Sequence, residues 1–145
     1  MKVSELKPQY VELMPKVLEG GVLYISQKYA TAVHKCCCGC GEKVVTPLKP
    51  TEWSLSVTQG AVTLYPSIGN WSFGCRSHYW IRNNRVVWAG DMANVEIERN
   101  RRRDRTAKQE YFAQVNAQRN QAPCSSTEKW LPRVWRRFLN WLTSR

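Results

Sequence analysis

Residues 34–43 read His-Lys-Cys-Cys-Cys-Gly-Cys-Gly-Glu-Lys, so four of the chain's six cysteines fall within five consecutive positions. Thiolates this close repel one another unless a cation neutralises them. Zinc does so well, because it takes sulfur and nitrogen ligands tetrahedrally and deprotonates the thiol as it binds. A second candidate pair, Cys75 and His78, lies downstream at an ordinary Cys-x2-His spacing. Four ligand positions therefore face seven candidates: His34, Cys36, Cys37, Cys38, Cys40, Cys75 and His78. Cys37 and Cys40 have knuckle spacing, whereas Cys36, Cys38 and Cys40 alternate and converge only on an irregular loop. The residues leave that choice open. Disulfides suit the cluster poorly, since neighbouring cysteines cannot meet the required sulfur geometry without strain. Buried free thiols are the plain alternative, but a Gly-rich turn makes poor core. Cys124 stands apart.

The stretch around Cys75 carries further chemistry. Ser67, Asn70, Ser72, Arg76, Ser77 and His78 are many polar groups for one hairpin. Acyl transfer needs a nucleophile, a base for its proton and donors for the oxyanion. Ser67 sits between a proline and a glycine turn, and Ser77 is the alternative nucleophile. His78 and His34 are the candidate bases. If Ser77 and His78 share one strand they point to opposite faces, so that adjacent pair cannot act together without a bend. Two versions follow. In one, cysteines hold a structural zinc and His78 or His34 activates Ser67 or Ser77. In the other, zinc keeps an open position and activates water, with Glu42 as the nearby carboxylate base. All-thiolate sites are usually closed, which favours the first. The non-catalytic readings are that the Ser and Asn side chains cap a turn and that His78 is a ligand only.

The elements that must position these groups read as short strands. Residues 16–33 suggest extended segments about Gly20-Gly21, with Val22–Ile25 and Tyr29–Val33 as β-favouring runs. Residues 44–48 suggest a strand stopped by Pro47. Residues 53–67 alternate through Trp53, Leu55 and Val57, turn at Gln59-Gly60, and return through Val62 and Leu64. Residues 78–90 form the clearest hairpin, about Asn83-Asn84. The tryptophans alternate within these strands as core residues do. After residue 95 the composition changes. Residues 93–121 contain no Gly or Pro and are charged, which suits a helix that is solvated or lies across one side of a sheet. Residues 122–127 read as a linker, and 130–145 as a second helix bearing Leu131, Val134, Trp135, Phe138 and Leu142 near helical spacing. The fold class is mainly β: a small antiparallel, zinc-stabilised β domain over 1–95, followed by a basic helical extension over 96–145.

Charge divides the chain the same way. Residues 1–95 carry 10 Lys/Arg against 6 Asp/Glu, and residues 96–145 carry 12 against 5. Five arginines at 99, 101, 102, 103 and 105 could bind phosphate non-specifically. The plain alternative is a solvated helix. No run reaches the roughly 18 apolar residues that cross a bilayer, and no secretory signal is expected. Trp135, Phe138 and Trp141 with flanking arginines could lie on an anionic membrane, though such a stripe more often packs on protein. The expected compartment is the cytoplasm, where thiols stay reduced.

Two blocks, HKCCCGCGEKVVTPL and VTLYPSIGNWSFGCRSHYWI with the following RVVWAG, resemble a family of small bacterial proteins found in mobile elements or beside genes for ubiquitin-like proteins and their activating enzymes. The resemblance covers roughly residues 10–90. It implies a cysteine pattern C-x-C-G-C-G, which favours Cys36, Cys38 and Cys40, with Cys75, as Zn2+ ligands. Cys37 departs from the family's usual small residue or proline. The resemblance also implies a peptidase that trims or removes ubiquitin-like proteins, whose partners are those proteins or their conjugates. The competing class is a non-catalytic zinc-stabilised module that binds nucleic acid or a protein.

Overall fold

A computed structural model describes residues 1–121. The expected second helix over 130–145, the 122–127 linker and Cys124 lie outside the described residues.

Eight strands form two four-stranded sheets, in the orders β1-β2-β3-β4 and β5-β6-β7-β8. The first sheet comprises β1 (Lys7–Tyr10), β2 (Val22–Ser26), β3 (Thr31–Lys35) and β4 (Lys43–Pro47). The second comprises β5 (Ser54–Thr58), β6 (Ala61–Gly69), β7 (His78–Arg82) and β8 (Arg85–Trp88). All neighbouring pairs are antiparallel except β1 with β2. The β-rich expectation is met. The parallel edge strand β1 was not anticipated, because Lys-Pro-Gln-Tyr carries no apolar alternation. An edge is where a strand proline is tolerated, since Pro8 has no N–H to give a ladder.

Local chemistry explains the turns. Gln59 and Gly60 adopt φ of 51° and 80°, and Asn83 and Asn84 adopt 48° and 66°. Two successive left-handed residues make the turn that matches strand twist in a two-residue hairpin. Asn84 also ties its hairpin to the preceding one, because its Oδ1 accepts the Val62 N–H at 2.8 Å. The Gly20-Gly21 expectation is displaced. Gly21 has a positive φ but leads into β2, and the β2–β3 connection instead turns through Gln27–Ala30.

The inner faces of both sheets feed one core: Leu6, Leu23, Ile25, Ala32 and Val44 from the first half, and Val62, Leu64, Ile68, Tyr79, Ile81 and Val86 from the second. Truncating any of the large fully buried members would cost roughly 2–5 kcal/mol. The N-terminal segment stitches the halves along an edge. Val86 N–H donates to Ser4 O at 2.9 Å and Leu6 N–H to Asn84 O at 2.8 Å, just before the chain enters β1.

Helix α1 (Asn94–Gln121) follows β8. One compact unit spans Met1–Tyr111 and the next begins at Phe112. Within the first unit, Ile97 is buried at 4% exposure and Lys108 pairs with Glu52 at 2.6 Å. The start of the helix is thereby fastened to the β domain, while Arg99 and Arg101–Arg103 stay exposed. No helix among the described residues is long and apolar enough to cross a membrane.

Candidate active site

The thiols are gathered by two loops, one from each sheet. The β3–β4 loop folds back on itself through Cys36 N–H to Glu42 O at 2.8 Å and Gly39 N–H to Cys36 O at 3.1 Å. Gly39 has φ of 89°, and a Cβ there would lie 2.6 Å from the Met1 carbonyl oxygen. Glycine alone fits at this position, in the loop that brings Cys38 and Cys40 to the other sulfurs. The β6–β7 loop supplies Cys75. The Sγ atoms of Cys36, Cys38, Cys40 and Cys75 all lie within 4.8 Å of one another. Three of the separations are 3.4 Å (Cys36–Cys38), 3.9 Å (Cys36–Cys75) and 3.7 Å (Cys40–Cys75). Four sulfurs at Zn–S bond lengths on a tetrahedron sit about 3.8 Å apart, so the donor set fits one tetrahedral ion. Desolvation acts to raise the Cys75 thiol, but hydrogen bonds with Ser77 and the neighbouring thiols bring it down to about 7. A thiolate is therefore accessible near neutrality.

The crowded block sorts itself by direction. Cys37 turns into the core and is fully buried, and burial pushes its thiol up to about 12. It packs as an apolar residue, outside the four-sulfur group. Glu42 is exposed, and it is its backbone carbonyl that braces the loop. His34 is fully buried with Nε2 2.8 Å from Tyr79 Oη, and burial lowers it to about 4. It makes no hydrogen bond to either candidate serine.

Ser77 belongs to the thiol group. Its Oγ lies 3.0 Å from Cys36 Sγ and 3.5 Å from Cys75 Sγ, and it accepts from Asn70 Nδ2 at 2.9 Å. Asn70 Nδ2 also reaches Cys36 Sγ at 3.7 Å. Both side chains are buried.

One residue further on, the strand presents its other face. His78 Nε2 lies 3.0 Å from Ser67 Oγ, and His78 Nδ1 lies 3.0 Å from Gly90 O. A carbonyl oxygen only accepts, so Nδ1 carries the proton of the neutral ring. Nε2 then faces the Ser67 hydroxyl with its lone pair. This is the geometry in which a histidine removes a serine proton. The pairing across β6 and β7 explains the meeting. Gly69 is opposite His78, and Ser67, two residues away, is its diagonal neighbour on the same face. Between Leu64 and Ile68 the ladder is irregular, with four steps on β6 against two on β7. Such a bulge commonly re-aims a side chain beside a functional site.

None of the four tryptophans among the described residues is fully buried, and only Trp53 packs against the core. Trp53, Trp71 and Trp80 are only partly buried, and Trp88 is exposed. Trp71 and Trp80 instead flank His78, with ring centroids 5.0 and 5.6 Å from the imidazole. Alternation alone does not say which face of a strand is the wet one, and here the aromatic face is the outer one. Gly69 makes room for this stack, because a Cβ there would lie 2.3 Å from Trp71 Nε1. A cavity of about 340 Å³ opens beside the pair, lined by Trp53, Ser67, Trp71, His78, Ile97 and Asp104 among others. Helix α1 thus supplies one wall. The Gly90 carbonyl left no trace in the sequence because it is backbone. Trp80, two residues after His78, carried the same-face signal.

Geometry defines the class first: a two-sheet β domain with a four-cysteine cluster between two loops and, across β6 and β7, a serine hydroxyl hydrogen-bonded to an oriented histidine. The family profile described as "Bacterial ubiquitination-like system serine protease (BubE)" matches residues 10–89, more than half of the chain. The chain belongs to that family, and the matched span includes all four clustered cysteines, Ser67 and His78. No curated protein and no solved structure gives a significant match.

Proposed function

We propose that the protein is a serine peptidase that cleaves the bond following a ubiquitin-like protein, either in a precursor or in a conjugate, with Ser67 as nucleophile and His78 as general base. The observation that carries this reading is the Ser67 Oγ–His78 Nε2 contact at 3.0 Å with Nδ1 anchored on Gly90 O. Family membership supports the substrate class. In the reaction, Nε2 takes the Ser67 proton as Oγ bonds to the scissile carbonyl carbon. The imidazolium then returns that proton to the leaving amine as the C–N bond breaks, leaving an acyl-serine. Water attacks the ester with His78 again as base, which frees the carboxylate and restores the hydroxyl. A backbone carbonyl orients the ring where a triad uses a carboxylate.

We take the ion held by Cys36, Cys38, Cys40 and Cys75 to be zinc, on the strength of the all-sulfur donor set and its tetrahedral spacing. When bound it joins a loop of one sheet to a loop of the other. The four thiolates close the coordination sphere, so proton transfer is assigned to His78. A reducing compartment, the cytoplasm, suits a protein whose described cysteines are all free. The exposed arginines of α1 support a second reading, a module that binds nucleic acid. It requires that charge reversal over 101–105 abolish binding while Ser67→Ala leaves it intact.

The test is labelling of the full chain by a fluorophosphonate and by a ubiquitin-like protein bearing a C-terminal electrophile. Ser67→Ala should abolish both reactions, and His78→Ala should slow them about 100-fold or more. The adduct should map to Ser67 by mass spectrometry. Labelling that survives Ser67→Ala, or an adduct on Ser77, refutes the assignment.

A further inference from the structure

The Gly90 carbonyl can hold His78 in one tautomer only if the segment bearing it is itself held. That segment, residues 89–93, has no regular structure between β8 and α1. One end is fixed by Ala89 N–H donating to His78 O at 2.9 Å. The other end is held mainly by Arg76, with Asn100 Nδ2 adding a contact to Met92 Sδ at 3.4 Å. Arg76 Nη2 donates to Asp91 Oδ1 and to Met92 O, both at 3.1 Å, and Arg76 Nη1 donates to Asn94 Oδ1 at 3.1 Å. Asp91 is drawn tight in turn, its Oδ1 accepting Met92 N–H at 2.8 Å. That N–H and the Arg76 guanidinium hold the Asp91 carboxyl below its ordinary range. The guanidinium also lies over the Trp71 ring, 5.5 Å from its centroid, and Trp71 flanks His78. Arg76 itself adopts φ of 43° in the turn that precedes β7. This conformation is uncommon for a residue with a side chain, and the three hydrogen bonds require the side chain to leave the turn on this side.

We propose that Arg76 is a positioning residue for the Ser67–His78 pair: its planar fork clamps residues 91–94 so that Gly90 O stays on His78 Nδ1. A guanidinium suits the task because it presents several donors in a rigid plane and stacks on an aromatic face at once. Lysine offers a point charge and cannot do both. The clamp thus gives the backbone carbonyl the fixed position that a buried carboxylate has in a triad. When the clamp is released, the ring can place its proton on either nitrogen, and the Nε2–H form cannot accept from Ser67.

This inference rests on the proposed role of Ser67 and His78, and one of its readouts does not depend on catalysis. The chain has two histidines, so the imidazole nitrogens of uniformly 15N-labelled protein can be assigned with a His78→Gln control. In the native protein His78 should appear as the Nδ1–H tautomer. In Arg76→Ala it should become a mixture, at unchanged metal content. The fluorophosphonate labelling rate should fall about 100-fold, the scale of a lost general base. In turnover of a ubiquitin-like fusion the loss should fall on kcat, with KM little altered. Free guanidinium ion should restore both the rate and the single tautomer, and Arg76→Lys should behave like Arg76→Ala. An unchanged tautomer in Arg76→Ala, a loss confined to KM, loss of the metal, or absence of guanidinium rescue each overturns the proposal. If Arg76→Ala does not fold, the double variant Asp91→Ala/Asn94→Ala removes two of the clamp's three bonds from the other side. It is judged by tautomer, rate and metal content. Should Ser67→Ala retain labelling, the catalytic reading fails while the tautomer measurement still decides the clamp.

Discussion

Asn70→Leu isolates what the buried amide does for the four-thiol cluster and the ion proposed for it. Leucine keeps the approximate shape, and the backbone bond from residue 70 N–H to Ser77 O at 2.9 Å survives. Two side-chain bonds are lost: Nδ2 to Ser77 Oγ at 2.9 Å and Nδ2 to Cys36 Sγ at 3.7 Å. The first is a neutral hydrogen bond worth about 1 kcal/mol. The second is long, and with a thiolate acceptor it belongs near the low end of charge-assisted bonds, so together they amount to about 2.5 kcal/mol. At about 1.4 kcal/mol per decade that is roughly a 60-fold loss of metal affinity, within the range expected when an outer hydrogen-bond partner of a ligand is removed. Competition with a chromophoric chelator on the full chain measures it. The sulfur-to-metal charge-transfer band of the cobalt-substituted protein should shift at the same time, since the thiolate has lost a donor. A change of affinity under about threefold with an unshifted band would refute the reasoning, because it would mean that Asn70 only fills space.

Other outcomes follow from individual contacts. Gly69→Ala places a Cβ against the Trp71 indole, so serine-probe labelling should fall while metal content holds; full labelling would mean that the indole position is immaterial. Tyr79→Phe removes the hydroxyl 2.8 Å from His34 Nε2, and His34 Nδ1 already lacks a partner. Denaturant unfolding should therefore show a loss of about 1–3 kcal/mol, and a neutral result would reveal another partner for the ring. Removing the metal with a strong chelator should make Cys36, Cys38, Cys40 and Cys75 reactive to a thiol reagent together while Cys37 stays protected in the core; Cys37 reacting at the same rate would show that the core had opened as well. Lys108→Ala deletes a pair at a partly exposed surface and should cost no more than about 1 kcal/mol in the same unfolding assay.

Much of this was legible in the residues, and the reasons differ from group to group. The hairpins at Gln59-Gly60 and Asn83-Asn84 announced themselves because few residues accept a left-handed backbone. The four thiols announced themselves because no apolar core explains them, yet their sorting depended on loop direction. Spacing alone could not turn Cys37 inward and its neighbours toward Cys75. The opposed faces of Ser77 and His78 followed from the pleat, but Ser67 became the partner of His78 only through cross-strand register and a bulge, and neither is a local property. The tryptophans misled because alternation identifies two faces without saying which is wet. Strand β1 was silent because its contribution is backbone pairing rather than an apolar face.

Where the chain enters strand β7 two neighbours look in opposite directions, Ser77 just before the strand toward sulfur and His78 at its first position toward a hydroxyl. Because side chains alternate strictly, slipping this strand by one residue against β6 would exchange them. The imidazole would be driven among the thiols and the small hydroxyl left on the aromatic face. In that misaligned chain the Cys75 loop would also be offset from the sulfurs of the other sheet. Capture of the proposed ion would therefore proofread the alignment: a molecule that closes its four-sulfur cage has, by the same geometry, set its histidine on the correct side of the sheet.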